Sequence, residues 1–286
     1  MKLPPFDYAC PTTLPEAVQL LAARDGDAKA IAGGQSLVPM LAFRLAQPTL
    51  LVDLRKLADL RGIRISAKGV TLGAMVRWRD IEDDERLDTA HPLLKAAIAH
   101  VAHYQVRNRG TVGGSLAHAD PAAEMPGIAM TCDAEIAVVG RSGAHVIQAA
   151  DFFQGALTTA LTPDEIIVEI RLPAWPARRR WGFEEFARRR GDFAMAAAAV
   201  FYDQDESGKA RNAHVGVVGV ADRPLRLPAV EDVLNGRAID AAIIAKAEAA
   251  TSAAVDPQDD IHASAAYRRA LTGTMVERAL RAARAS

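Results

Sequence analysis

Hydrophobic positions in the first 60 residues alternate between the spacing of helices and that of strands. Residues 14–22 carry apolar side chains at the intervals of an amphipathic helix, and Thr13 is a suitable N-cap for it. The next apolar segments predict a strand at residues 27–31, a helix at residues 37–46 and a buried strand at residues 50–54. This order predicts a unit of strand, loop, helix and strand, with the loop at the head of the helix.

Near Asp59 the pattern changes to shorter segments. Residues 62–65 and 69–73 alternate as the two arms of a hairpin do. Farther along, the spacing predicts helices at residues 92 to about 103 and 122–131, and strands at residues 134–139 and 166–172.

A break in composition predicts a domain boundary near residue 176, where Ala174-Trp175-Pro176-Ala177 is followed by three arginines. We therefore expect one domain at residues 1–176 and a second at residues 177–286. Beyond the boundary, strands at residues 194–202 and 213–220 and alanine-rich helices from Ala241 and Ser264 predict a small sheet backed by helices. The expected fold class is α+β.

The composition and the net charge argue against several classes of function. Of the 286 residues, 50% are hydrophobic and 5% aromatic, and the formal net charge is −1, which argues against nucleic acid or an anionic membrane as a partner of the whole surface. No apolar run approaches the roughly 18 residues of a membrane span, and the first residues lack the apolar stretch of a signal peptide. We expect a cytoplasmic protein without an integral membrane segment. Peripheral association with the inner membrane through partners stays open.

Several familiar motifs are absent from the sequence. Neither GxGxxG, a P-loop, HExxH nor GxSxG occurs, so a Rossmann NAD site, a zinc protease and a serine hydrolase are not supported. The only two cysteines, Cys10 and Cys132, exclude an iron–sulfur cluster held by four thiolates of this chain. We expect no metal ligand and no side chain that acts as acid, base or nucleophile.

Two glycine loops are the most informative feature, namely Ala32-Gly33-Gly34-Gln35-Ser36 and Thr111-Val112-Gly113-Gly114-Ser115. Paired glycines allow backbone N–H groups to converge on an anion without a Cβ in the way. Two such loops, each ending in serine, predict a pyrophosphate held from both sides. The serine hydroxyls are interpreted as phosphate donors, with helix N-capping as the open alternative.

Two further segments carry candidate chemistry. Asp120 follows the second loop and is placed to accept hydrogen bonds from a ribose or adenine, or else caps a helix with Pro121 at its first position. His118 lines the same groove or is structural. The loop Gly191-Asp192-Phe193 brings a carboxylate and an aromatic ring to a flat cofactor, unless the arginine-rich cluster around it is a solvated turn.

Together these residues resemble the FAD-binding middle subunit of the molybdenum hydroxylases, a family that includes bacterial carbon monoxide dehydrogenase and, as a fused domain, xanthine dehydrogenase. The resemblance extends over essentially the whole chain. It is carried by Pro5-Phe6-Asp7-Tyr8, Ala32 to Pro39, Arg107-Asn108-Arg109-Gly110 with the second loop, Ala119 to Glu124, Leu161 to Ile167, and Arg188 to Ala194.

The resemblance implies an FAD whose pyrophosphate lies on the two glycine loops. It also implies an acidic contact from Glu124 to the adenosine half, a backbone contact from Leu161 to the flavin or adenine, and a loop at Asp192 and Phe193 near the isoalloxazine ring. The cofactor-binding residues so predicted are Lys29, Ala30, Ile31, Ala32, Gly33, Gly34, Gln35, Ser36, Leu37, Val101, Thr111, Val112, Gly113, Gly114, Ser115, His118, Asp120, Glu124, Leu161, Asp192 and Phe193. The family often has a lysine where this chain has Glu185, so a cationic contact is in doubt there and Arg188 is the alternative.

The implied fold is an FAD-binding domain of the vanillyl-alcohol-oxidase type, with subdomains at about residues 1–57 and 58–176, followed by a smaller C-terminal domain. The implied partners are a large subunit with the molybdenum cofactor and a small subunit with [2Fe-2S] clusters, in a dimer of heterotrimers. The implied role is electron transfer from those clusters through FAD to an external acceptor. A self-contained FAD-dependent oxidase or reductase and a nucleotide-binding assembly protein are the alternatives.

Overall fold

The computed structural model describes residues 2–286, and its first part is a small parallel sheet with a helix on either side of the glycine loop. The sheet has the order β1-β3-β2, so that β2 is an edge strand. The prediction for residues 14–22 is confirmed, with Thr13 Oγ1 accepting a hydrogen bond from Glu16 N. The elements are β1 (Asp7–Ala9), α1 (Leu14–Ala22), β2 (Ala28–Ile31), α2 (Leu37–Ala42) and β3 (Leu50–Asp53).

The second helix is shorter than predicted. It ends at Ala42 because Arg44 adopts a φ of +64° and Leu45 N donates back to Met40 O, a typical helix-ending arrangement.

The second part is a five-stranded antiparallel sheet, of order β4-β5-β10-β6-β7, covered by short helices. The hairpin predicted at residues 62–73 is confirmed. Its elements are β4 (Ile63–Ser66), β5 (Gly69–Gly73), α3 (Trp78–Asp83), α4 (Leu87–Ala90), α5 (Pro92–Ile98), α6 (Tyr104–Arg107), α7 (Val112–His118), α8 (Glu124–Thr131), β6 (Glu135–Gly140), β7 (Gly143–Gln148), α9 (Ala149–Phe152), β8 (Phe153–Gly155), β9 (Thr158–Thr159) and β10 (Ile166–Pro173).

Two helix boundaries in this part correct the predictions. The helix α5 stops at Ile98, well before residue 103, and Ala102 beyond it has a φ of +42°. The helix α8 begins only at Glu124, because Asp120 Oδ1 accepts a hydrogen bond from Ala122 N and forms a turn instead. The alternative in which Asp120 caps a helix is therefore wrong.

The third part is a four-stranded antiparallel sheet backed by helices, as predicted. Two strands and one helix of this part are absent from the prediction. The charged cluster that contains Glu184 and Glu185 begins as a strand and only then turns. A two-residue strand and a seven-residue helix follow the last predicted strand. The elements are β11 (Arg180–Phe186), β12 (Ala196–Gln204), β13 (Ala210–Val218), β14 (Leu225–Arg226), α10 (Pro228–Leu234), α11 (Ala241–Ala254) and α12 (Ala265–Ala285).

The helix α8 joins this third sheet to the rest of the molecule. A Cβ at Gly127 would lie 2.7 Å from Val218 Cγ1, and a Cβ at Gly216 would lie 1.8 Å from Thr131 Oγ1. The main hydrophobic core accordingly continues into β12, where it includes Phe201. No helix within residues 2–286 combines the length and the apolar character that crossing a membrane requires.

Candidate functional site

The first glycine loop leaves β2, the edge strand, and leads into α2. The backbone N–H groups of residues 32–36 donate to no other group among residues 2–286. Gly34 has a φ of +74°, a conformation that favours glycine. The loop thus offers free donors at a partly exposed surface, as an anion-binding site requires.

The second loop is built differently from the prediction. Val112 N donates to Val76 O, Gly113 N to Ala74 O, and Gly114 N to Thr111 Oγ1. Ser115 N donates to Thr111 O within the first turn of α7. These four N–H groups are therefore already bonded within the protein, and the expectation that they converge on an anion is not met.

The segment that directly precedes the second loop contacts the first loop at Gly33. A Cβ on this residue would lie 2.1 Å from Arg109 O and 3.0 Å from Gly110 Cα. Arg109 Nε in turn donates to Gly33 O at 3.4 Å. The segment before the second loop therefore lies directly against the first loop, with the free donors of residues 32–36 at the contact.

The two loop serines differ in position. Ser36 precedes α2 but its hydroxyl makes no capping bond, and Ser115 lies inside α7, where capping is impossible. The hydroxyl of neither serine forms a hydrogen bond within the described residues. Both hydroxyls remain available to a ligand. The residues on the strand side of the first loop, Lys29, Ala30 and Ile31, are exposed or half-buried, and so is Leu37 on its helix side.

Three predicted residues lie at the end of α7 or in the segments near it. His118 is the last residue of that helix and is half-buried, and this burial lowers the pKa of its imidazole. Asp120 is half-buried in the turn that follows. Leu161 is half-buried, and its N–H already donates to Thr159 Oγ1 at 3.3 Å, so only its carbonyl is open to a ligand.

The remaining predicted residues lie at the junction of the second and third parts. Val101 is buried, whereas Asp192 and Phe193 are exposed on the loop after β11, Phe193 to 66%. That loop packs on the turn after α5, because a Cβ at Gly191 would lie 2.5 Å from the His103 ring.

Glu124 also belongs to this junction. It is 9% exposed and lines a small cavity together with Phe183 and Gly127. Burial raises the pKa of its carboxyl group to about 7, and the charge of Asp120 adds to the increase.

Sequence reasoning missed two residues of this region. Arg107 Nη1 donates to the carbonyls of Val101 and Ala102, each at 3.0 Å, and Arg107 also pairs with Glu82, so it fixes the turn that carries Val101. Glu185, treated only as a replacement for a lysine, is a buried residue of the junction. Alternation of Trp181, Phe183 and Glu185 along one strand face was the signal that could have placed it.

Comparisons with known proteins agree with this geometry. Residues 4–175 match the family described as the FAD binding domain in molybdopterin dehydrogenase, and residues 181–283 match the CO dehydrogenase flavoprotein C-terminal domain. The chain is 39% identical over 280 residues to the 6-hydroxypseudooxynicotine dehydrogenase complex subunit alpha of Paenarthrobacter nicotinovorans, with 98% of this chain and 95% of the relative covered. It is 36% identical over 280 residues to the carbon monoxide dehydrogenase medium chain of Hydrogenophaga pseudoflava, with 98% and 97% covered.

A solved structure gives the same result. Carbon monoxide dehydrogenase from Hydrogenophaga pseudoflava, in a form that lacks the Mo-pyranopterin moiety of its molybdenum cofactor, is similar with a TM-score of 0.96 and 38% identity. The similarity covers 100% of this chain and 99% of the other chain.

Proposed function

This chain belongs to the FAD-binding medium subunits of the molybdenum hydroxylases, and we propose that its FAD relays electrons from [2Fe-2S] clusters of a partner subunit to an external acceptor. The observation that supports FAD binding is the contact of Gly33 with Arg109 and Gly110, which directly precede the second glycine loop, beside unpaired N–H groups of residues 32–36. Such a cluster suits the pyrophosphate of a dinucleotide.

Different segments of the chain have different roles in holding the cofactor. The first loop supplies backbone donors, and Ser36 and Ser115 supply hydroxyl groups. The second loop supplies a wall, because its own N–H groups are bonded elsewhere. Val101, Asp192 and Phe193 at the junction would border the flavin ring, which when bound supplies the electron-transfer chemistry. No side chain of the chain needs to move a proton for this relay.

The proposal extends to organisation and partners. We place the domain boundary near residue 176, between the sheet that ends with β10 and the sheet that begins with β11.

A large molybdenum subunit and a small iron–sulfur subunit, in a dimer of heterotrimers, would complete the enzyme, because the two cysteines here cannot hold a cluster. Both cysteines are free thiols, which supports a reducing, cytoplasmic location.

The test is to purify the chain from its native host with the chains that accompany it, and to record its absorbance spectrum. We expect flavin bands, iron–sulfur absorption and two further polypeptides, with the flavin bleached when the substrate of the complex is added. A second preparation of the chain alone should bind FAD without being reduced by that substrate.

Two outcomes would contradict the proposal. Flavin on a single chain that a substrate reduces directly would identify a self-contained oxidase. A chain that neither contains nor takes up FAD would exclude both redox roles and leave nucleotide-binding assembly as the remaining candidate.

A further inference from the structure

The carbonyl group of Gly33 accepts two hydrogen bonds from side chains, although it belongs to the loop proposed to bind an anion. Gln35 Nε2 donates to Gly33 O at 3.1 Å, and Arg109 Nε donates to the same oxygen at 3.4 Å. A carbonyl oxygen carries partial negative charge and would repel a phosphate that it faced. The two side chains therefore keep this oxygen on one side of the loop.

Other carbonyl groups of the first loop are bonded as well. Gly34 O accepts a hydrogen bond from Val38 N at 3.0 Å. Ser36 O accepts one from Met40 N at 3.1 Å. These two oxygens are held by the backbone of α2, whereas the oxygen of Gly33 is held by side chains alone. The loop thus has carbonyl groups that are bonded within the protein and N–H groups that are free for a ligand.

The direction of the Gly34 N–H group follows from that of Gly33 O. The peptide bond between the two glycines is trans, because residues 2–286 contain no cis peptide bond. In a trans peptide the C=O of one residue and the N–H of the next point in opposite directions. Since Gly33 O faces Gln35 Nε2 and Arg109 Nε, the free N–H of Gly34 points away from both side chains. The bonds that hold the carbonyl therefore also aim this donor.

The backbone by itself does not fix this orientation. Gly34 has a φ of +74°, but glycine adopts positive and negative φ about equally well. Rotation of the peptide between Gly33 and Gly34 by half a turn would bring the carbonyl oxygen to the side of the free N–H groups. An attractive dipole would then become a repulsive one. Neither glycine has a side chain that opposes the rotation, so the choice depends on the two side-chain donors.

We propose that Gln35 and Arg109 are positioning residues that clamp the carbonyl group of Gly33 and so direct the N–H of Gly34 toward the pyrophosphate of FAD. This role rests on the FAD-binding part of the proposed function. The side chain of Gln35 then acts through the loop rather than by touching the cofactor. Arg109 lies outside both glycine loops and reaches the first one because its own backbone packs on Gly33, where a Cβ would lie 2.1 Å from Arg109 O.

The first test is titration of the full apo chain with FAD, for the wild type, Arg109→Met and Arg109→Gln. Glutamine carries its Nε2 donor as many bonds from the backbone as arginine carries Nε, so Arg109→Gln keeps the hydrogen bond without the charge. Methionine has a similar length but no N–H donor. High salt during the titration screens the charge of the exposed Arg109 guanidinium, which leaves the hydrogen bond as the difference between the variants.

The matched control is Arg269→Met. Arg269 Nε donates to a backbone carbonyl, that of Val255, at 3.2 Å, but it does so in the third part of the molecule. Arg109→Met should raise the Kd for FAD about 2- to 12-fold, which corresponds to the loss of one ordinary hydrogen bond. Arg109→Gln and Arg269→Met should bind FAD as the wild type does.

Two results of this titration would overturn the proposal. One is an FAD affinity of Arg109→Met equal to that of the wild type. The other is an equal loss in Arg109→Met and Arg109→Gln, because the donor at Gly33 O would then not be responsible. Electron transfer plays no part in the titration, so failure of the relay would leave its result unchanged.

The second test examines the ligand-free chain with glycine labelled by nitrogen-15. The one-bond N–H dipolar coupling of Gly34, measured by NMR in an aligned sample, reports the direction of that bond. We expect this coupling to change in the double variant Gln35→Met with Arg109→Met and to stay as in the wild type in Arg109→Gln. The couplings of glycines remote from the loop, such as Gly208, show whether the fold is intact.

An unchanged coupling of Gly34 in the double variant would overturn the clamp, because the backbone alone would then fix the peptide. Gln35 is half-buried and Arg109 exposed, so the fold should persist without either side chain. The measurement uses no FAD. Failure of the wild type to bind FAD would therefore refute the proposed function, while the coupling would still decide whether the two side chains hold the peptide.

Discussion

Replacement of Gly33 by alanine tests the contact that brings the two glycine loops together. The added Cβ would lie 2.1 Å from Arg109 O, a backbone atom that cannot swing aside. Relief to an ordinary separation requires the loops to move apart by about 1 Å, because Cβ atoms rarely approach closer than about 3 Å. The free N–H groups of residues 32–36 would move with the first loop.

The expected loss can be estimated from the bonds affected. A hydrogen bond to a charged group contributes about 1.5–3 kcal/mol. Losing one such bond to the pyrophosphate weakens FAD binding by about 10- to 150-fold, and losing two multiplies the effect. The fold should persist, because neither Gly33 nor Arg109 lies in a helix, in a named strand or in the buried core.

The assay is titration of the apo chain with FAD, followed by the quenching of flavin fluorescence, with thermal unfolding recorded in parallel. Gly62→Ala is the matched control, because a Cβ there would meet nothing closer than 3.7 Å. An FAD affinity of Gly33→Ala equal to that of Gly62→Ala would refute the reasoning, and so would equal losses in both variants.

Three further predictions follow from the structure. Gly34→Val should weaken FAD binding far more than Gly236→Val, because both positions have φ near +75° but only Gly34 lies in the first glycine loop. FAD titration of the two variants decides this. Phe193→Ala should alter the rate of flavin reoxidation or the flavin potential more than the FAD content, and unchanged rates with every acceptor tested would make the exposed ring a surface residue. Burial lowers the pKa of His91 to about 3. The free energy of unfolding should therefore fall as the pH drops from about 6.5 toward 3, by up to about 1.4 kcal/mol per pH unit. His91→Asn keeps an N-cap acceptor and should reduce this pH dependence, as measured by denaturant unfolding.

Local patterns in the sequence predicted most of the elements, because helix and strand periodicity is written in neighbouring residues. The helix at residues 14–22, the hairpin near residue 70 and the sheet of β12 and β13 were all predicted from spacing alone. The predicted ends of some helices differed from the observed ends. The end of α2, for example, is set by a positive φ at Arg44, a residue type that carries no such signal.

The candidate site, too, was predicted only in part from the sequence. The sequence identified both glycine loops and, through the resemblance, the cofactor that the family binds. It gave the wrong reason for the second pair of glycines. A Cβ at Gly113 would lie 2.6 Å from Ala74 Cβ, and one at Gly114 would lie 2.8 Å from Thr111 Oγ1, so these glycines permit packing within the protein itself.

The sequence by itself thus determined many of the helices and strands, the α+β class, the glycine loops and the family. Only the tertiary structure decided that Gly33 lies against Arg109, 76 residues away, and that the side chain of Glu185 is buried beside His100. The physical reason is that hydrogen-bond commitment and desolvation depend on which distant atoms surround a group. A glycine or a glutamate has the same sequence identity whether its neighbour is water, a ligand or the packed face of another element.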